Sequence, residues 1–336
     1  MVIMTTTQYQ TQARLLKNRT DIRYSAVLRG IVTFFLALAW LVSPAVEAVG
    51  SPQATDSAKT AVHTTTATAA NHAKGLLWKI EKSGLKPSYL FGTIHSDDPR
   101  VTALPDGVVT AFDNSHSFTM EALIDSSSSI LEMAEAMFFR DARTLAGVLG
   151  KELYAQTIQA MHQHGLPVEG IEKQKPWVVI MALSMPRPKT GQFLDLMLKT
   201  RATLQDKPVY GLESVKEQIA VFDDLPMEEQ IALLRETLGA QDKIEAQFEE
   251  LTRAYLQRDL AGLMAITAKH DPKPDGLSER FMDRLLAQRN VRMAERLAPR
   301  LKEGNAFIAV GAAHLPGPQG LLNLLEKAGY RVTSIY

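Results

Sequence analysis

Two stretches at opposite ends of the chain follow one plan. Ser88–His95 reads SYLFGTIH, and Asn305–His314 reads NAFIAVGAAH. Each is an apolar run of strand length followed by Gly, two small or apolar residues and a His, the signature of a buried strand that stops at a polar group. Gly92 and Gly311 are expected to allow a backbone turn that a Cβ would obstruct. His95 and His314 are then expected just beyond the carboxyl ends of their strands, where open α/β sheets receive ligands. A sheet edge that uses both residues must be assembled from both ends of the chain.

The intervening pattern agrees with such a sheet. Leu76–Glu81 and Ser88–Gly92 read as two strands joined by the turn residues Ser83–Pro87. Pro105–Asn114 reads as a short helix, and Ser117–Ala122 as a third strand. A strand–helix–strand crossover of that length gives parallel neighbours. From Ser127 to Thr203 apolar residues recur at helical spacing, punctuated by Pro167, Pro176, Pro186 and Pro188. Lys207–Glu213 returns to strand character. Val215–Asp223, Glu228–Asp259 and Phe281–Lys302 read as charged amphipathic helices. The chain closes with a strand at Phe307–Gly311, a helix at Leu321–Ala328 and a strand at Tyr330–Ile335. The expected class is therefore α/β: a central mixed, largely parallel sheet built from both ends, with a large helical insertion.

The N-terminal part has a different character. Residues 1–29 are polar and carry Arg14, Lys17, Arg19, Arg23 and Arg29; an uncharged run with Phe34–Val42 at its centre follows, and Val46–Ala48 has a small-x-small pattern. These are the parts of a secretory signal, expected over residues 1–48. The apolar run falls short of the roughly 20 residues a spanning helix needs, so an uncleaved anchor at 26–46 is the second expectation. Residues 49–74 are rich in Thr, Ala and Ser and read as a flexible linker, with His63 and His72 as solvated bystanders. Residues 75–336 are the expected folded domain, in the periplasm or outside the cell. Lys plus Arg and Asp plus Glu both number 37, which excludes a global basic field for nucleic acid. The count of zero cysteines excludes disulfides, thiolate metal sites and a cysteine nucleophile.

Four strand-like runs end in a group that can bind metal or move protons: His95, Glu121, Glu213 and His314. If the strands are parallel neighbours, all four converge on one edge. Two neutral imidazoles with one or two carboxylates suit a divalent cation such as Mn²⁺, Co²⁺ or Zn²⁺. The expectation is that His95 and His314 ligate, one of Glu121 and Glu213 is third ligand, and the other is general base. Arg289 and Asn290, in the last long helix, are expected to orient a carboxylate or backbone near the ion, or to meet developing negative charge. The plainer alternatives are hydrogen-bonded core histidines and a Glu121–Arg289 ion pair. His162 and His164 lie at a polar helix end and read as solvated or C-capping, while His116 and His270 have no partners in sequence.

With these residues in view, the chain resembles the TraB/PrgY/GumN family, which includes the Tiki metalloproteases. The resemblance rests on Leu77-Trp78 with LFGTIH at 90–95, on Glu121, and on KPW at 175–177. It continues with PVYGLES at 208–214, Gln218, Arg289-Asn290, VGAAHLPG at 310–317 and YRV at 330–332. The family often has Gly two residues before the acidic position matching Asp195, where this chain has Phe193, and Ala or Val where it has Pro316. The resemblance implies a metal-dependent hydrolase fold of the Tiki type without implying that this member cleaves peptides; the expected partner is a peptide or small-molecule substrate. The fold is also related to haem-uptake proteins, so a non-catalytic binder of a peptide signal or haem, with His95 or His314 as axial ligand, is the alternative.

Overall fold

A computed structural model describes residues 72–269 and 277–336. The expected signal or anchor, nearly all of the expected linker and His270 lie outside these residues. Strands β1 (Leu77–Glu81) and β2 (Ser88–Thr93) are followed by helices α1 (Pro99–Thr102) and α2 (Asp106–Asp113), and by β3 (Ser117–Ala122). The helical part begins with α3 (Ser127–Ala136), α4 (Leu145–His164), α5 (Pro176–Leu183) and α6 (Leu194–Leu204). Strand β4 (Val209–Glu213) then leads to α7 (Val215–Asp223), α8 (Met227–Gly239), α9 (Ile244–Leu256) and α10 (Leu260–Lys269). Last come α11 (Leu277–Met282), α12 (Gln288–Glu303), β5 (Ala306–Gly311), α13 (Leu321–Lys327) and β6 (Arg331–Ser334). Among the described residues, no helix is long and apolar enough to cross a membrane.

The six strands form one sheet in the order β4-β3-β5-β2-β1-β6. β4, β3, β5 and β2 run parallel, and β1 and β6 close one side antiparallel. The sheet is thus mixed, mostly parallel and drawn from both chain ends. β2 and β5 are neighbours, with Thr93 opposite Gly311, so the two Gly-x-x-His stretches leave the same edge side by side. The centre of the sheet is apolar because it is covered on both faces; every residue of β5 is buried.

Two apolar clusters build the interior. One packs on the sheet and includes Phe91, Phe118, Phe307, Leu212, Met293, Ala312 and Leu315. The other lies among the inserted helices and includes Trp177, Val215, Phe222, Leu285, Leu286 and Ala313. Residues on either side of Glu213, Arg289 and His314 divide between the two clusters, so these polar groups form a layer at the seam.

Three expectations need correction. The helix expected over Glu228–Asp259 is two helices, because the chain breaks between Gly239 and Ile244. His72 is not a solvated bystander: its ring is buried, meets Trp78 edge-on at 5.4 Å and lies 3.1 Å from Glu326. Packed residues therefore include at least His72 of the expected linker, which the Thr-, Ala- and Ser-rich composition had hidden. Finally, Gly92 and Gly311 are not turn glycines, since neither has a positive φ. Gly92 is required by proximity: a Cβ there would stand 2.7 Å from Leu315 Cδ1 and 3.1 Å from Ala312 Cα.

Candidate functional site

At the end of β5 a single 3₁₀ turn, Ala312–His314, turns the His314 ring into the seam, where the residue has no exposed surface. Opposite it stands the start of α12, preceded by a π-helical turn at Asp283–Ala287. Such turns recur at functional sites because they re-aim side chains without ending the helix. This one sets Arg289 and Asn290 facing the strand ends, with Arg289 Nη1 donating to Leu285 O at 3.2 Å.

Arg289 organises the carboxylates. Its Nη2 donates to Glu121 Oε2 at 2.6 Å and to Glu213 Oε2 at 2.7 Å, and its Nε donates to Glu213 Oε2 at 3.0 Å. Arg292 Nη2 reaches Glu213 Oε1 at 3.4 Å. Arg289 and the Glu213 side chain are both 0 % exposed. A buried guanidinium is tolerable only with such compensation. Burial acts to lower the Arg289 pKa, but the two carboxylates outweigh it and hold the pKa above its ordinary value. The plain Glu121–Arg289 ion pair is therefore present, and it extends to Glu213. Both oxygens of Glu213, expected as third ligand or general base, are engaged by guanidinium groups.

Glu121 is placed differently. Its Oε2 meets Arg289 and, at 3.4 Å, the amide of Gln218, while its Oε1 accepts from Gly311 N at 2.7 Å. The same Oε1 lies 3.6 Å from His314 Nε2. Burial would raise the Glu121 pKa; His314, Arg289 and the Gly311 N–H together hold it below the usual carboxylate range.

Asn290 fixes the state of His314. Its Nδ2 donates to Gln319 O at 2.9 Å, which leaves Oδ1 to face His314 Nδ1 at 2.6 Å. Nδ1 must then carry the proton, and the Nε2 lone pair is left pointing at Glu121. Burial lowers the His314 pKa to about 4, against the pull of Glu121 and with the help of Arg289. At neutral pH a lone pair and a carboxylate oxygen thus face each other, both as acceptors.

His95 occupies a separate half of the site. Its ring stacks on Phe193 at 4.2 Å with an interplanar angle of 11°. Nδ1 lies 3.6 Å from Asp195 Oδ2, and Thr93 Oγ1 donates to Asp195 Oδ1 at 2.7 Å. The carbonyl before this turn is also held, since Tyr255 donates to Gly92 O at 3.0 Å. Phe193, Asp195 and Tyr255 escaped the sequence reading as site residues. Phe193 and Asp195 begin a helix far from either Gly-x-x-His stretch, and the only sequence signal was the acidic position in the family pattern.

The described donor set suits a divalent cation. Both nitrogens of His95 and Nε2 of His314 are buried without a hydrogen-bond partner among the described residues, and such orphaned groups are rare unless something else satisfies them. Neutral imidazole nitrogens and a carboxylate oxygen are ligands for Zn²⁺, Mn²⁺ or Co²⁺. Among the described residues, no group of three or more His, Asp and Glu side chains already stands close enough together to hold an ion.

A mostly parallel sheet with paired Gly-x-x-His strand ends and a Glu–Arg–Glu layer defines an α/β protein with an acid–imidazole edge. The TraB/PrgY/gumN family model matches residues 76–334, and the chain belongs to that family. It is similar to metalloprotease TIKI1 of Danio rerio, 26% identical over 308 residues that make up 76% of this chain and 62% of the relative. Metalloprotease TIKI2 of Xenopus tropicalis is 26% identical over 312 residues, 76% of this chain and 59% of the relative. Protein YbaP of Escherichia coli is 26% identical over 263 residues, 76% of this chain and 94% of the relative. The chain thus spans about three-fifths of the length of the Tiki relatives it matches. No solved structure matches the chain.

Proposed function

We propose that the chain is a divalent-metal-dependent hydrolase of peptide or amide bonds, exported from the cytoplasm. The observation that carries the reading is the buried face-off between His314 Nε2 and Glu121 Oε1 at 3.6 Å, two acceptors with no proton or donor between them at neutral pH. A cation resolves that arrangement. The names of the Tiki relatives support the same chemistry.

His95, His314 and Glu121 would hold the ion. When bound, it polarises the substrate carbonyl and acidifies water to a pKa of about 7. The chain's own groups do the rest. Asn290 keeps the proton of His314 on Nδ1, so Nε2 remains a ligand. Arg289 keeps Glu121 ionised and supplies a fixed positive charge toward the anion that develops in acyl transfer. Glu213 acts through Arg289. With no exposed side-chain surface and both oxygens bonded to guanidinium groups, it is not assigned the transfer of a proton.

The test is cleavage of unstructured peptides by the full chain after chelation and re-addition of Zn²⁺, Mn²⁺ or Co²⁺. Activity that disappears with chelator and returns with one of these ions supports the proposal. Cleavage that persists in chelator contradicts it, as does haem binding with no cleavage under any ion. Export is tested separately: a mature N-terminus near Val49 supports it, and retention of Phe34–Val42 in a membrane fraction favours the anchor.

A further inference from the structure

Each imidazole of the site has an oxygen behind its Nδ1. For His314 that oxygen is Asn290 Oδ1 at 2.6 Å, and for His95 it is Asp195 Oδ2 at 3.6 Å. We infer that Asp195 is the positioning residue for His95. It is the counterpart of Asn290 and holds the His95 proton on Nδ1, so that Nε2 faces the site as a ligand. The inference rests on the metal-site reading above, but it concerns a property of the protein that exists without an ion.

The surroundings of Asp195 support a fixed acceptor. The residue lies in the first turn of α6 and is buried. Thr93, two residues before His95 on the same strand end, donates to Asp195 Oδ1 and thereby leaves Oδ2 directed at the ring. The start of α6 is tied to the His95 turn a second time, by Leu194 N donating to Ser96 O at 3.2 Å. Further along, Asp97 Oδ2 accepts from Gly191 N at 2.8 Å, which fastens the preceding loop. Phe193 then fixes the ring plane by stacking at 4.2 Å. What remains is the half-turn of the ring about Cβ–Cγ, which keeps that plane and exchanges Nδ1 with a carbon. With Nδ1 on the Asp195 side, a shift of under ~1 Å brings it from 3.6 Å into the ~2.7–3.2 Å range of an N–H···O bond. Carboxylate or carbonyl support of the distal imidazole nitrogen is a general device of metal sites, because it selects the tautomer and the ring orientation. A simpler role for Asp195, favourable placement at a helix N-terminus, explains neither the direction of Oδ2 nor the bond from Thr93.

The ring tautomer is directly measurable. In the metal-free full chain labelled with ¹⁵N-histidine, imidazole nitrogen shifts distinguish a neutral ring protonated at Nδ1 from one protonated at Nε2. The His95 signals are assigned by their loss in His95→Gln. The expected result is Nδ1–H for His95 in the wild type, a switch to Nε2–H in Asp195→Ala, and retention of Nδ1–H in Asp195→Asn. The asparagine can turn its carbonyl to the ring and its amide to Thr93 Oγ1. Zn²⁺ affinity should fall about 10- to 100-fold in Asp195→Ala and recover in Asp195→Asn. Nε2–H in the wild type, or Nδ1–H unchanged in folded Asp195→Ala, overturns the inference. A chain that shows the expected tautomers yet binds no Zn²⁺ leaves the Asp195 assignment intact and contradicts the metal reading instead.

Discussion

The two Gly-x-x-His strand ends are alike in sequence and adjacent in the sheet, yet they are supported in different ways. The His314 end is locked: a short turn, an asparagine at 2.6 Å and a fully buried ring leave one nitrogen free. The His95 end is looser, with a stacked phenylalanine, a carboxylate at 3.6 Å and two nitrogens free. The locked half is bound to the Glu121–Arg289–Glu213 layer between the apolar clusters. The looser half depends on the first turn of α6, beyond a long helical excursion. One half of the site is thus set by the sheet and α12, and the other is adjusted by the insertion.

The sharpest way to break the locked half is through Arg289. Arg289→Met should destabilise the protein by about 3–5 kcal/mol, because two buried carboxylates lose their shared partner. Denaturant unfolding measures this, and Arg289→Lys should recover only part of the loss, since it cannot bridge both groups in a fork. If Arg289→Met unfolds like the wild type, the ion layer is not what holds the seam.

Acid should act on the same half. The folded His314 pKa is about 4, below its ordinary 6.5, so the unfolded chain binds the proton more readily. Stability from this group is complete above about pH 6.5 and falls as pH drops toward 4, by up to ~3 kcal/mol. Unfolding measured between pH 7 and pH 4.5 should show that slope, and His314→Gln should flatten it.

Smaller effects separate the two ends. Gly92→Ala should cost about 1–3 kcal/mol by overpacking against Leu315 and Ala312, and it presses on both turns at once. Asn290→Ala should cost about 1–3 kcal/mol by orphaning His314 Nδ1 and the Gln319 carbonyl. Thermal melts of both variants check these values. The Asn290 variant should also release the His314 tautomer while leaving His95 unchanged.

Much of the locked half was legible in the chain because its parts sit at the ends of apolar runs. Glu213 ends its strand, Glu121 is next to last in its own and His314 follows β5 by one short turn, and a buried strand that stops near a polar residue is a readable signal. That Arg289 would meet a carboxylate was readable; that it bridges Glu121 and Glu213 together was not, because this depends on a π turn at Asp283–Ala287 that no residue pattern announces. The looser half was legible only at His95. Asp195 and Phe193 reach it through tertiary packing of a helix start, and their local pattern is that of any helix N-terminus. His72 was misread for the opposite reason: the low-complexity residues before it hid a ring that packs on Trp78.

We propose that these unlike halves share one divalent ion. Zn²⁺ titration of the chelated full chain, compared with His95→Ala and His314→Ala, tests it most directly. The expected result is one tightly held ion per chain in the wild type and loss of that binding in each variant alone. Undiminished Zn²⁺ binding in both variants, or none in the wild type, would contradict it.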